Sequence, residues 1–290
     1  IGAAIESVLD QIEPGVEIVV LDSGSNDNTR EIVEGLAAGQ SCVRYFYQHE
    51  PGGIDRDMAR SVELAAGEYC WLLSADDALA PGALKRILYE FDAGNDLLLA
   101  NRWWCDSHLT PLRRETWLSG ASEDRTVDFS VPGQALAYIA AARSVGALFS
   151  FMSCIGFRRE RWLNAAADDT LIGTHYAHIQ RLFTVARSGI RLDYIATPLV
   201  LCRGGSDSFR TDGLAGRLLI DLRGFLAVGC SVFPDSTALQ QAFFAVLRRE
   251  HAMRRWARAY SEKPDQELWQ DIERLLAVYG YSSLERWLIR

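Results

Sequence analysis

The chain lacks most features that would place it in a special class of protein. It has no hydrophobic run of about 18 residues or more, so no membrane-spanning helix is predicted, and no signal peptide is visible. The six cysteines lie far apart and include no C-x-x-C pair, which excludes the usual zinc and redox spacings. Neither an internal repeat nor a low-complexity tract occurs. We therefore expect a globular cytoplasmic protein whose cysteines are buried free thiols.

Positive charge is also in short supply. The sequence has 30 Lys and Arg against 38 Asp and Glu, a net charge of −8, which argues against nucleic acid as the main partner. A bound metal ion and a few local Arg residues could still offset the phosphates of a nucleotide. With 290 residues, 49% of them hydrophobic, the chain can bury the core of one large domain with an appendage.

Short apolar runs alternate with helical patterns over the first 102 residues. Predicted strands cover 15–22, 43–47, 69–73 and 97–101, and predicted helices cover 28–36, 54–66 and 81–91. This alternation is typical of a mostly parallel, doubly wound α/β sheet flanked by helices. Because such domains usually begin with a strand, whereas residues 1–9 have a helical pattern, we expect the native amino terminus to lie outside this sequence.

The pattern changes after residue 102. Residues 102–128 are rich in Trp and Arg and predict long loops or a small excursion, and more helices and strands follow up to about residue 200. Residues 214–290 are mostly helical in pattern. We predict one domain over 1–212, with a nucleotide-binding half at 1–102 and an acceptor half at 103–212, followed by a helical region at 213–290.

Carboxylates follow two of the predicted strands. Asp76 and Asp77 come directly after an apolar run, and Asp22 ends an earlier one. Carboxylates at such strand ends can hold a divalent cation that bridges nucleotide phosphates, and Asp22 could accept hydrogen bonds from a base or ribose. The alternatives are that Asp76 or Asp77 caps the helix at 81–91 and that the loop after Asp22 is an Asx-rich turn. Gly24 would allow that turn to be tight.

The order of motifs resembles that of family-two glycosyltransferases with the GT-A fold. Residues 22–29 fit an Asp-x-Gly-Ser-x-Asp-x-Thr loop, and Ala-Gly-Glu-Tyr at 66–69 precedes the metal-motif position at 74–77. Further stretches are similar to the abequosyltransferase-like subgroup, which attaches dideoxy or related sugars to bacterial surface polysaccharides. They lie at 53–57, 62–69, 71–74, 148–151, 158–162, 173–178 and 198–209. The resemblance covers about residues 5–210.

The resemblance implies a donor site and a metal. The residues that it assigns to the nucleotide sugar are Asp22, Ser23, Asp55, Arg56, Asp76 and Arg203. Asp76 would bind Mg²⁺ or Mn²⁺, and Asp77 would bind the same ion or the donor sugar. The sequence departs from the family at Ser74 and Ala75, where carboxylates are common, so metal binding should depend on the nucleotide's own phosphates. For Arg56 the alternative is a solvated cation on a helix face.

Sugar transfer with inversion also needs a base that deprotonates the acceptor hydroxyl. Where many family members carry a carboxylate, this chain has Gly-Thr-His-Tyr-Ala-His at 173–178. We predict His175 as the base, because imidazole titrates near neutral pH, and Asp169 as the other candidate. A packed histidine without a catalytic role is the alternative for His175.

Three remaining features have two interpretations each. The loop at 203–208 suits a diphosphate or is a plain turn, and Trp103, Trp104 and Trp117 could stack on a sugar or belong to the core. The basic stretch at 247–256 could rest on an anionic membrane or pack on its own domain.

We predict a metal-dependent glycosyltransferase that moves a hexosyl or deoxyhexosyl group from a nucleotide-diphosphate sugar to a saccharide or lipid-linked saccharide. Polysaccharide biosynthesis at the cell envelope is the expected setting, in the cytoplasm and with contact to the inner face of the plasma membrane as a further option. The alternatives are a degenerate nucleotide-sugar-binding domain without turnover and a nucleotidyltransferase on a similar sheet.

Overall fold

The computed structural model describes residues 1–120, 122–205 and 213–289. The strands in these ranges are β1 (Ile18–Asp22), β2 (Val43–Tyr47), β3 (Tyr69–Trp71), β4 (Ala78–Leu79), β5 (Leu97–Cys105), β6 (Pro111–Glu115), β7 (Arg125–Asp128), β8 (Ile155–Arg158) and β9 (Arg191–Cys202). The helices are α1 (Gly2–Leu9), α2 (Thr29–Ala37), α3 (Ile54–Leu64), α4 (Ala83–Asp92), α5 (Pro132–Ala141), α6 (Arg159–Asn164), α7 (Ala177–Arg187), α8 (Gly213–Val232), α9 (Thr237–Glu250), α10 (Met253–Ser261), α11 (Gln266–Val278) and α12 (Ser283–Ile289). Short 3₁₀ turns cover Val145–Leu148, Met152–Cys154 and Asp169–Leu171.

The strands form two sheets. β1 and β2 pair in parallel, and the larger sheet has the order β3-β8-β5-β9-β4, with β6 added to β5 and β7 to β9. In the larger sheet β5 and β9 are parallel, and the other pairings are antiparallel. The side chain of Glu17 connects the two sheets, since it accepts hydrogen bonds from the backbone N–H groups of Ala66 and Gly67 just before β3. The predicted α/β fold with a helical carboxyl-terminal region is confirmed, with a mixed sheet.

The region 102–128 differs from the predicted long loops. β5 extends to Cys105, and β6 and β7 pair with the sheet. Most residues of β6 are exposed, so the alternation of buried and exposed positions that marks a strand is absent there. Pairing with β5 and β9 supplies the backbone hydrogen bonds that a propensity argument cannot foresee.

One hydrophobic core spans the sheet and the carboxyl-terminal helices. Leu98 of β5, Phe183 of α7 and Phe243 of α9 are each fully buried in it. The ring of Phe183 lies 5.6 Å from that of Phe233 and 5.9 Å from that of Phe243, measured between centroids. Helices α8 and α9 therefore pack on the α/β part, α10 and α11 pack on α8, and α12 packs on α10 and α11. The predicted boundary at 212 falls within 206–212, outside the described residues.

All six cysteines are free thiols. Cys105, Cys154 and Cys202 are buried as expected, whereas Cys42 and Cys70 are half-buried and Cys230 is exposed. Within the described residues, no helix combines the length and the hydrophobicity needed to span a bilayer.

The basic stretch at 247–256 packs on its own domain. His251 and Trp256 are only 2% and 1% exposed. Arg249 donates hydrogen bonds to the carbonyl oxygens of Ile139 and Ala142, at the end of α5. Of the two interpretations of this stretch, intramolecular packing accounts for these side chains.

Candidate functional site

The end of β1 forms a polar turn around Asp22. This carboxylate is 3% exposed and accepts hydrogen bonds from the Tyr45 hydroxyl at 2.6 Å and the Ser25 N–H at 2.8 Å. Burial alone would raise the pKa of Asp22, but these hydrogen bonds outweigh it and hold the pKa below its usual value. The Asp22 side chain thus closes the loop that follows it, as in the Asx-rich turn given above as the alternative. Gly24 has φ of +76°, and an added Cβ would lie 3.2 Å from the His49 carbonyl oxygen, so the tight turn requires glycine.

Hydrogen bonds between side chains connect this turn to α3. Gln48, just after β2, donates hydrogen bonds from its amide nitrogen to Ser23 Oγ at 2.8 Å and to Asp57 Oδ1 at 2.6 Å. Asp57 lies in the first turn of α3 and also accepts from the Gly52 N–H at 3.1 Å. The ends of β1 and β2 and the start of α3 thus form one hydrogen-bonded neighbourhood.

The side chain of Asp77 is part of the structure of the second strand end. It is 2% exposed, accepts from Ser153 Oγ at 2.6 Å, and accepts from the Arg203 N–H at 3.1 Å. Ser153 in turn accepts from the Ser74 N–H at 3.0 Å. Burial raises the pKa of Asp77, and the hydrogen bond from Ser153 opposes that effect. Asp77 therefore ties the turn after β3 to the 3₁₀ turn before β8 and to the end of β9.

Asp76 is half-buried beside it. Ser74 Oγ donates a hydrogen bond to Asp76 Oδ1 at 2.5 Å, and Arg203 Nε donates to the Asp76 carbonyl oxygen at 2.8 Å. Arg203 also donates to the carbonyl oxygen of Ser107. Neither aspartate caps the following helix, because β4 intervenes and α4 begins after Gly82. The capping interpretation of this pair is wrong.

The donor set at this strand end fits a weakly held divalent cation. Magnesium needs only one or two protein carboxylates when phosphates complete its shell, and the half-buried Asp76 can supply one. Asp77 is less available, since its carboxylate is buried and its hydrogen bonds hold the turn after β3 to Ser153 and Arg203. No group of three or more His, Cys, Asp or Glu side chains arranged for a metal occurs among the described residues. A cation here would therefore depend on the nucleotide.

Asp55 holds the segment 173–177. Its carboxylate is 9% exposed and accepts three backbone hydrogen bonds, from Gly173 at 2.8 Å, His175 at 3.0 Å and Ala177 at 3.1 Å. A carboxylate that accepts several N–H groups at a helix start satisfies donors that the helix leaves unpaired. Asp55 thus connects the first turn of α3 with the start of α7.

His175 is half-buried in this segment and has φ of +69°. His175 lines a cavity of about 90 Å³, together with Met152, Ile54 of α3 and Arg217 of α8. Met152 directly precedes Ser153, the residue that binds Asp77. The cavity therefore lies where α3, the 3₁₀ turn at Met152–Cys154, the segment that carries His175, and α8 meet.

His178 is a core residue. It is 6% exposed, its Nε2 lies 2.9 Å from the Phe149 carbonyl oxygen, and burial lowers its pKa to about 4. A histidine that stays neutral at pH 7 and faces a backbone carbonyl is suited to packing. A packed histidine without a catalytic role was the alternative given above for His175, and His178 has that role.

The other predicted residues differ in exposure. Arg56 and Asp169 are exposed. Trp117 is 3% exposed and donates a hydrogen bond from its indole nitrogen to the Ala100 carbonyl oxygen at 2.6 Å, so it belongs to the core and cannot stack on a sugar in this conformation. Of the predicted loop at 203–208, residues 206–208 lie outside the described residues.

Sequence reasoning missed several supporting residues. Ser153 and Gln48 gave no signal, because their spacing matches no motif. Asp221 did give one: it is a single carboxylate in the apolar stretch of α8, it is 3% exposed, and it accepts from the Tyr176 hydroxyl. A carboxylate in a largely apolar helix is usually paired inside the protein.

The architecture described above is the GT-A glycosyltransferase fold. The crystal structure of S. aureus TarS 1-349 in complex with UDP-GlcNAc superposes with a TM-score of 0.66, covering 95% of this chain and 75% of TarS at 15% sequence identity. At that identity the likeness shows the fold alone.

Sequence comparison then gives the family. Residues 1–163 match the family described as Glycosyl transferase family 2. Abequosyltransferase RfbV of Salmonella typhimurium is 32% identical over 239 residues, which cover 81% of this chain and 71% of RfbV. A GalNAc(5)-diNAcBac-PP-undecaprenol beta-1,3-glucosyltransferase of Campylobacter jejuni is 30% identical over 92 residues, covering 31% of this chain and 30% of that protein. The chain belongs to glycosyl transferase family 2, and the predicted likeness to its abequosyltransferase-like members is confirmed.

Proposed function

We propose that this glycosyltransferase moves a hexosyl or deoxyhexosyl group from a nucleoside-diphosphate sugar to a saccharide hydroxyl in the biosynthesis of a bacterial surface polysaccharide. The observation that carries the proposal is the continuity of the polar network. It runs from Ser23 through Gln48 to α3, and from α3 through Asp55 to the segment that carries His175. A donor bound over β1 and an acceptor bound near His175 would meet within this network.

The donor half would bind through the ends of β1 and α3. Asp22 would accept hydrogen bonds from the base or ribose, and its low pKa keeps it ionised at neutral pH. Ser23 and Arg56 would complete the nucleotide pocket, and Arg203 would face the diphosphate. Asp22 gains this acceptor capacity because each of its oxygens has a further lone pair beyond the hydrogen bonds from Tyr45 and Ser25.

Asp76 would hold a Mg²⁺ or Mn²⁺ ion together with the donor's phosphates. When bound, such an ion would neutralise the charge of the departing diphosphate. Asp77, predicted above as a second ligand, would instead orient the turn that carries Asp76. Its carboxylate is buried and accepts hydrogen bonds from Ser153 and from the Arg203 N–H. The combination predicts weak metal affinity without nucleotide and tighter affinity with it.

His175 would take the proton from the acceptor hydroxyl. His175 lines the cavity next to α3 and α8, whereas Asp169 is exposed on a 3₁₀ turn. The acceptor would be a saccharide, free or lipid-linked. For a lipid-linked acceptor the exposed Arg254 and Arg258 of α10 are the side chains we propose to face an anionic membrane surface at the cytoplasmic side.

The test is nucleoside diphosphate release from a panel of nucleotide sugars with Mn²⁺, measured with and without chelator and with oligosaccharide acceptors. We expect acceptor-dependent release, a loss of at least 100-fold in Asp76→Asn and His175→Ala, and no change in Asp92→Asn, whose carboxylate is exposed at the end of α4. Release that persists in the chelator and in Asp76→Asn would refute the metal role.

Two other outcomes would replace the proposal. Tight nucleotide-sugar binding without turnover over the whole panel would favour a degenerate binding domain. Pyrophosphate release from a nucleoside triphosphate and a sugar phosphate would favour a nucleotidyltransferase.

A further inference from the structure

The segment Gly173–His178 is held from two sides by groups that do not belong to it. On one side Asp55 of α3 accepts the N–H groups of Gly173, His175 and Ala177. On the other side the Tyr176 hydroxyl donates to Asp221 of α8. These contacts span 118 and 45 residues of sequence, so the conformation of the segment is set by the tertiary structure.

Helix α8 also approaches the segment very closely at Gly224. A Cβ added at this position would lie 2.2 Å from Cδ2 of the Tyr176 ring and 3.0 Å from the Thr174 carbonyl oxygen. Real Cβ atoms do not tolerate the first of these distances, so α8 can pack here only with glycine. The Tyr176 ring also lies 4.8 Å from that of Phe225, measured between centroids.

The backbone of His175 needs this support. Its φ of +69° lies in the left-handed region, which is unfavourable for a residue with a side chain and persists when surrounding contacts over-determine it. The N–H of His175 itself donates to Asp55 at 3.0 Å, which fixes the peptide plane next to the left-handed residue. The fixed backbone in turn restricts the direction of the Cα–Cβ bond of His175, a residue that lines the cavity.

We propose that Asp55, Tyr176 and Gly224 are positioning residues that hold His175 at the acceptor. Helix α8 therefore contributes to the acceptor site by fixing the segment that carries His175. The inference rests on the function proposed above, in which His175 is the base. Asp55 then acts on the transfer step through the segment backbone, in addition to any contact with the donor.

The substitutions Asp55→Asn and Tyr176→Phe test this in the full chain. Asparagine keeps the shape of Asp55 but replaces one accepting oxygen by an NH₂ group. That group is a donor, so it cannot accept a hydrogen bond from the backbone N–H that it would face. Phenylalanine keeps the Tyr176 ring and removes only the hydroxyl. Asp265→Asn is the matched control, because Asp265 also accepts two backbone N–H groups at a helix start, that of α11.

We expect acceptor-dependent kcat to fall at least 10-fold in Asp55→Asn and at least 3-fold in Tyr176→Phe, with the KM for the donor changed less than 2-fold. Hydrogen exchange followed by mass spectrometry should show faster exchange of peptides covering 171–179 in both variants. Asp265→Asn should match the wild type in both measurements.

Gly224→Ala provides a variant that leaves every polar group in place. We expect it to lower kcat and to speed exchange over the same peptides, since the added methyl group must displace Tyr176. Its thermal unfolding midpoint and nucleoside diphosphate binding by calorimetry show whether the variant is folded.

The two proposals fail in different ways. If His175→Ala abolishes transfer while Asp55→Asn and Tyr176→Phe keep wild-type kcat, the positioning role is wrong and the proposed function stands. Faster exchange with unchanged kcat also overturns it, as does a loss that appears only as a raised donor KM. If His175→Ala transfers normally, the proposed base is wrong, and the positioning role that rests on it is overturned.

Discussion

The substitution Asp221→Asn removes the charge at the centre of a buried network. Asp221 is 3% exposed and accepts hydrogen bonds from the Tyr176 hydroxyl, from Arg217 Nη1 and from His251 Nε2, the last at 2.9 Å. Burial by itself would raise the pKa of Asp221, but His251, Arg217 and Tyr176 hold it down to about 2. The folded state thus strongly favours the ionised form.

The size of the effect follows from that pKa. A fall from the usual value of 3.8 to about 2 corresponds to a preference of ~2 kcal/mol for the charged form in the folded state. Asparagine also removes the negative charge that faces the guanidinium of Arg217, and removing one member of a buried ion pair costs about 3–5 kcal/mol. We therefore expect the free energy of unfolding to fall by about 3 kcal/mol.

Urea unfolding at pH 7, followed by circular dichroism and analysed by linear extrapolation, measures this loss. The matched control is Asp271→Asn, because Asp271 pairs with Arg223 and Arg274 at the surface of α11. Surface ion pairs contribute about 0–1 kcal/mol, so this variant should remain within 1 kcal/mol of the wild type.

The pH dependence gives a second check. A carboxylate with a lowered folded-state pKa stabilises the protein above its unfolded pKa, and this contribution is lost as the pH falls through the folded value. The difference between wild type and Asp221→Asn should therefore narrow from about pH 4 downward. A difference below 1 kcal/mol at pH 7, or one that widens below pH 4, would refute the reasoning.

Three further variants test other parts of the molecule. Ser153→Ala should destabilise the protein by about 1–3 kcal/mol in urea and lower transfer, because Asp77 loses a buried hydrogen bond. The pKa of His178 is about 4 in the folded state and 6.5 in the unfolded state. The free energy of unfolding of the wild type should therefore fall by about 3 kcal/mol from pH 6.5 to pH 4. His178→Gln should abolish that fall when both proteins are unfolded in urea. Gly146→Ala should lower the thermal unfolding midpoint by several degrees, since the new Cβ would lie 2.3 Å from the Trp117 ring; an unchanged midpoint would show that the site relaxes freely.

The sequence by itself determined the order of the elements in the first half of the chain. The strands at 43–47 and 69–71 and the helix at 54–64 lie where the hydrophobic period and Gly predict them. These signals are local, because each element needs only its own pattern to be recognised. The motif at 22–29 likewise predicted a tight polar turn, which Gly24 and Asp22 form.

The family, too, could be recognised from the order of short motifs. That order survives changes in the residues between them, and the match over residues 1–163 confirms it. The sequence also lacks a carboxylate at 173–178, which leaves His175 as the candidate base in that segment.

Only the tertiary structure decided what each polar side chain does. Asp76 and Asp77 are adjacent in sequence, yet one is half-buried and the other is bonded to Ser153 and Arg203, which lie 76 and 126 residues away. Asp55 similarly binds a segment more than 115 residues distant. Burial and long-range hydrogen bonds arise when elements pack, and no local pattern encodes which partner a carboxylate meets.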